Sequence, residues 1–249
     1  MRASDYFWLL LAGFGGGITG SVAGLASLVS YPALLAVGIP AVSANMTNTV
    51  SLIFSAVGSV HGSRPELRTQ PHNLRRFAAC ALAGGAAGAA LLLATPAHAF
   101  TLIVPWFICL GSLGILLRRR AGTGAAADLP RRGVLEISIF LVTLYGGYFG
   151  AAAGVVFMAI VLLVTADTLA EATALKNVLL GLSNAVAAVA FLFAGHVRWL
   201  AVLPLAAGFL GGGRLGAEIV RRVPAMPLRI LIACGGVGLA VHLGLDAYR

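Results

Sequence analysis

The sequence predicts an all-α integral membrane protein made of two inverted repeats, each a glycine-broken helical hairpin plus three transmembrane helices. Three observations predict it. Of the 249 residues, 59% are hydrophobic and only 10% charged, against about 25% charged in soluble domains. Apolar stretches recur along the whole chain, several reaching the roughly 20 residues that cross a bilayer. Glycine clusters and a few polar residues return in the same order in both halves. No strand-like alternation of about ten residues recurs, which argues against a β-barrel.

The first element is Tyr6 to Val37, whose opening part, GFGGGITGSVAG, carries Gly13, Gly15, Gly16, Gly17, Gly20 and Gly24. A glycine inside a helix costs roughly 1 kcal/mol relative to alanine, so such a cluster marks a bend. At 1.5 Å per residue this segment is also too long for one straight span. Its short apolar start resembles a signal peptide, but the apolar run continues to Val37, as in a retained membrane segment. Spans are then expected at Val42 to Val60, Phe77 to Ala94 and Phe100 to Leu117. A second hairpin is expected over Val134 to Thr165, followed by spans at Ala172 to Ala194, Leu200 to Gly216 and Leu228 to Leu245.

The repeat aligns Gly16, Gly17, Gly20 and Gly24 with Gly146, Gly147, Gly150 and Gly154, a shift of 130 (146 − 16). Gly84, Gly85 and Gly88 match Gly212, Gly213 and Gly216 at a shift of 128 (212 − 84), and Asn48 matches Asn177 at 129 (177 − 48). Residues 1–117 therefore form the first membrane repeat, 118–133 a basic cytoplasmic linker, and 134–249 the second repeat.

The formal charge of +9 gathers in short loops, at Arg64 to Arg76, Arg118 to Arg132 and Arg221 to Arg229. That is a positive-inside pattern and not a nucleic-acid surface. Placing all three loops in the cytoplasm requires an even number of crossings between them. The requirement is met only if Val134 to Thr165 returns to the side it entered, which makes that segment a hairpin and sets the halves upside down to each other. Inverted repeats with broken helices are the architecture of secondary transporters.

Two broken helices meeting near the bilayer midplane would present half-helix N-termini, whose free N–H groups suit an anion. Gly20, Gly24, Gly150 and Gly154 are candidate site residues on this ground, with tight helix packing as the competing explanation. Polar residues inside spans supply the rest: Asn45, Thr47 and Asn48 in SANMTNTVS, and Lys176, Asn177 and Asn184 in ALKNVLLGLSN. Asn177 and Asn184 are seven apart and share a helix face. An ammonium at Lys176 must snorkel, pair or line a polar cavity; Asp167 and Glu171 are candidate partners, and a fixed positive charge for an anionic substrate is the alternative. Arg214 and Glu218 are spaced to pair on one helix face. Cys80, Cys109 and Cys234 have no metal or disulfide spacing and read as packing residues. Ser183 in GLSNAV sketches a nucleophile, yet His196 lies thirteen residues along the chain, roughly 20 Å on a continuous helix. The histidines at 61, 72, 98, 196 and 242 sit near span ends, as interfacial anchors do. No cofactor is expected.

GGGITGSVAGLASLVSYPALLAVGIPAVSANMTNTVSLI resembles the first repeat of the TauE/SafE-type sulfite exporter family (TSUP). The matching elements are the bend at Gly20 to Gly24, Pro32, the turn Gly38 to Pro40, and Asn45 to Asn48. Ala174 to Arg229 is similar to the second repeat, through Lys176, Asn177, Asn184, Gly195, Trp199, Gly211 to Gly213 and Pro224. The resemblance implies a multi-pass inner-membrane transporter of sulfite, thiosulfate, sulfonates or related small anions, often exported. Coupling to protons or sodium and assembly into homo-oligomers are left open by the sequence, as is an anion channel.

Overall fold

The computed structural model of the chain describes residues 2–68, 71–117, 131–164, 168–194 and 196–220, with single positions between 234 and 245. The linker core, Asp167, Gly195, Pro224, His242 and two thirds of the expected last span lie outside the described residues. Every regular element among those described is a helix. They are α1 (Ala3–Ala23), α2 (Ala26–Ala36), α3 (Ala41–Gly62), the single turn α4 (Arg64–Leu67), α5 (Pro71–Ala94), α6 (Ala97–Leu117), α7 (Arg131–Tyr148), α8 (Ala153–Val164), α9 (Leu169–Ala194) and α10 (Trp199–Ile219).

Both long opening segments break where glycine permits it. α1 ends on Gly24, whose φ of +74° is left-handed, and α7 is followed by Gly150 with the same φ. L-residues pay roughly 1–2 kcal/mol for that conformation and glycine does not. The first break is a true reversal: a Cβ on Gly16 would sit 3.2 Å from the Ala26 carbonyl oxygen, and one on Gly15 3.9 Å from Val29, so α2 runs back along α1. The arms are unequal, 21 and 11 residues, where the sequence suggested two half-helices. α1 alone, roughly 31 Å at 1.5 Å per residue, is long enough to cross a bilayer.

The breaks also correct the alignment of the halves. Gly24 and Gly150 are 126 apart (150 − 24), one helical turn less than the 130 of the glycine match. A glycine stripe recurring every three or four residues keeps the same face when it slips by one turn, so its sequence match cannot fix the register.

Among the described residues, four helices are long and apolar enough to span a membrane: Ala3–Ala23, Phe77–Ala94, Leu169–Ala194 and Trp199–Ile219. Their outer faces carry Trp8, Phe193, Leu200 and Leu203, all more than half exposed, as suits side chains facing hydrocarbon. Inside, α1 packs on α10 and α7 on α5, while α3 rests on α10 and α9 on α5. At these seams the backbones nearly touch. A Cβ on Gly212 would stand 2.1 Å from the Phe14 carbonyl oxygen, and one on Gly88 2.1 Å from that of Leu144. With lipid as solvent, such close approach supplies the dispersion contact that holds helices together. Arg214 and Glu218 form the expected pair at 3.7 Å, with both side chains at least half exposed; a pair so open to its surroundings adds little.

Candidate functional site

The two breaks meet. A Cβ on Gly24 would lie 2.4 Å from the Gly154 carbonyl carbon, and one on Gly154 2.4 Å from the Gly24 Cα. Backbone therefore touches backbone where α1 turns into α2 and α7 into α8, a contact open only to glycine.

Breaking a helix strands its last carbonyls, and here each set is met from another element. Lys176, on α9 and 1% exposed, donates from Nζ to the carbonyls of Gly20 (2.6 Å) and Ser21 (2.9 Å) at the end of α1. A cation there also answers the negative end of the helix dipole. On the other side Asn45, on α3, donates from Nδ2 to the Tyr148 carbonyl at the end of α7 (2.8 Å). One break is thus capped by a charge and the other by a neutral amide. Glu171 is held by the Thr168 amide (2.9 Å) and hydroxyl (2.8 Å) in a capping box at the start of α9.

A cavity of about 70 Å³ opens beside the crossing, room for several waters at the roughly 10–15 Å³ each requires. Gly20, Gly24, Gly150, Gly154, Lys176, Asn177 and Asn184 wall it, together with the first residues of α2 and α8 (Ala26, Ser27, Ala153). Among the described residues of that wall, Lys176 is the ionisable one. The Asn177 side chain is 7% exposed, and its Nδ2 has no hydrogen-bond partner. An orphaned buried donor costs about 1–3 kcal/mol, and this one belongs to a side chain of the cavity wall. The chemistry on offer is a small space walled by one lysine, the two carboxamides of Asn177 and Asn184, and two helix N-termini, a set that favours negative charge.

Asn45, Thr47 and Asn48 are not among the residues that wall this cavity. Asn45 is the α7 cap. Thr47 accepts the Arg198 backbone N–H at the foot of α10 (3.0 Å). Asn48 accepts from Ser30 (2.6 Å) and donates to Ser27 (3.1 Å), fastening α2 to α3. Polarity in an apolar span marks a hydrogen bond that must be made, and here the partners are backbone ends and serines. Conversely, Ser27, Ser55, Ser59 and Gly181 join the cavity wall without having been singled out. Ser55 and Ser59 are four apart on one face of α3, and Gly181 completes the face of Asn177 and Asn184 on α9; small polar and glycine positions at helical spacing are the signal that was there. Ser183 donates its proton to the Thr143 carbonyl (2.9 Å) and packs against Gly85, a structural seam and not a nucleophile's setting.

Apolar spans, crossed broken helices and a small cationic cavity define a helical membrane transporter. The family model described as "Sulfite exporter TauE/SafE" matches residues 9–243, and this chain belongs to that family. It is 27% identical over 248 residues to a Sinorhizobium protein named probable membrane transporter protein ORF9, covering 96% of this chain and 92% of that one. It is 25% identical over 248 residues to probable membrane transporter protein YfcA of Escherichia coli K12, covering 98% and 89%. A probable membrane transporter protein of Haemophilus influenzae is 26% identical over 221 residues, covering 85% and 84%. No solved structure matches this chain.

Proposed function

We propose that this protein is a multi-pass inner-membrane carrier that exports sulfite, thiosulfate, a sulfonate or a related small anion by alternating access. The observation that carries the reading is the unpartnered Nδ2 of Asn177, a residue that walls the same cavity as Lys176. An oxyanion supplies the acceptors that this donor lacks. The halves support an inverted pair, because their packing is reciprocal: α1 of the first leans on α10 of the second, and α7 of the second on α5 of the first. Such exchanged contacts suit two bundles that rock about a shared crossing.

The test is flux of labelled sulfite, thiosulfate and taurine-like sulfonates in proteoliposomes. Asn177→Ala breaks no existing bond at Nδ2, so it should leave the ligand-free melting temperature nearly unchanged while lowering flux and the stabilisation that the anion gives. Undiminished flux in both Asn177→Ala and Lys176→Ala would remove the cavity from the pathway. Accumulation against a gradient separates a carrier from a channel.

A further inference from the structure

A second, larger space of about 360 Å³ lies between α3, α4 and α9. Its walls are apolar, with Val57, Val60, Val178 and Leu182 among them, and it ends at His61 and Arg64. Those two are exposed and stand where α3 gives way to the basic loop. This space and the inner cavity share two wall residues, Ala56 on α3 and Gly181 on α9. At that point the helices are as close as side chains allow, for a Cβ on Gly181 would lie 2.5 Å from the Ala56 Cβ.

Resting on the transport reading above, we infer that the Ala56–Gly181 contact is the gate by which the inner cavity opens toward the basic loop, with the groove ending at His61 and Arg64 as the anion's outer station. A single methyl group against bare backbone separates the two spaces. A parting of α3 from α9 by about a methyl's width joins them, and the apolar walls next to the contact keep it dry while it is closed. The Arg64 guanidinium at the mouth raises the local concentration of small anions and repels cations. The polar inner wall, with Ser55 and Ser59 flanking Ala56 on α3, receives an anion that has passed.

The experiment pairs flux with binding and labelling. Gly181→Ala sets two methyls against each other, forces α3 and α9 apart and props the contact open, so it should lower net anion flux against a gradient about tenfold or more, while sulfite or thiosulfate still raises the melting temperature. Ala56→Gly added to Gly181→Ala restores one methyl to the contact and should recover most of the flux. Unchanged flux in Gly181→Ala, or no recovery in the folded double variant, overturns the gate. Should Gly181→Ala fail to fold, a cysteine at Asn184 decides in a chain whose Cys80, Cys109 and Cys234 are alanine. An impermeant anionic thiol reagent reaching that cysteine from the basic-loop side supports the gate, and reaction only from the opposite side overturns it. A wild-type protein that neither moves nor is stabilised by any of these anions overturns the transport reading itself, and the labelling then still reports on the gate.

Discussion

Lys176 is asked to do two things at once, and the chemistry of its neighbours separates them. Its Nζ donates to the Gly20 and Ser21 carbonyls, and since Gly20 keeps the Gly24 N–H at 2.9 Å, Lys176→Met strands the Ser21 acceptor, at about 1–3 kcal/mol. A drop in melting temperature is expected even without anion, measurable in detergent, and it sets Lys176 apart from Asn177, whose truncation should cost stability little. Gly24 is constrained twice, by a left-handed φ and by the Gly154 backbone at 2.4 Å from any added Cβ. Gly24→Ala should therefore destabilise by more than the roughly 1–2 kcal/mol of conformational strain alone, whereas Gly38, also left-handed but facing open space, should lose only that strain when changed to alanine. Equal losses at the two positions would argue that the breaks do not touch.

The glycines of the helices divide by what they face, which supplies a sharp contrast between neighbours. Gly212→Ala drives a methyl into the Phe14 backbone at 2.1 Å, while Gly211→Ala meets the Phe14 ring at an ordinary 3.7 Å. We expect the first to destabilise by about 1–3 kcal/mol through overpacking and the second to be neutral or to gain part of the roughly 1 kcal/mol by which alanine exceeds glycine in a helix. Melting of the two purified variants checks this. The existence and order of the helices, and the need to break two of them, were legible from apolar runs and clustered glycine. The position of each break was not, because a stripe with a three-to-four-residue period looks the same after slipping one turn. Likewise, Asn45 and Asn48 stood out as polar residues in a span, but whether such a side chain serves a substrate or a stranded carbonyl depends on which helix end comes to lie beside it.

Across the whole molecule, the basic loops should lie on one face. Reporters inserted after Arg68 and at Gly124 should both register the cytoplasm, and one at Thr95, between α5 and α6, the opposite side; a cytoplasmic Thr95 reporter would dissolve the two-span connection. The exchanged packing of the halves also predicts that the fragments 1–117 and 134–249 do not fold separately, since α1 and α7 each find their close partner in the other half. Co-expression should recover a stable complex that neither fragment gives alone. Composition and periodicity by themselves determined that this chain dissolves in lipid, that it is helical, and that each half needs a bend, because burial in hydrocarbon leaves the backbone few other ways to satisfy its hydrogen bonds. Only the tertiary structure decided that Gly24 crosses Gly154, that Lys176 seals α1 and Asn45 seals α7, and that Asn177 is left with an amide to offer, because those facts depend on contacts between residues more than a hundred positions apart, which no local pattern encodes.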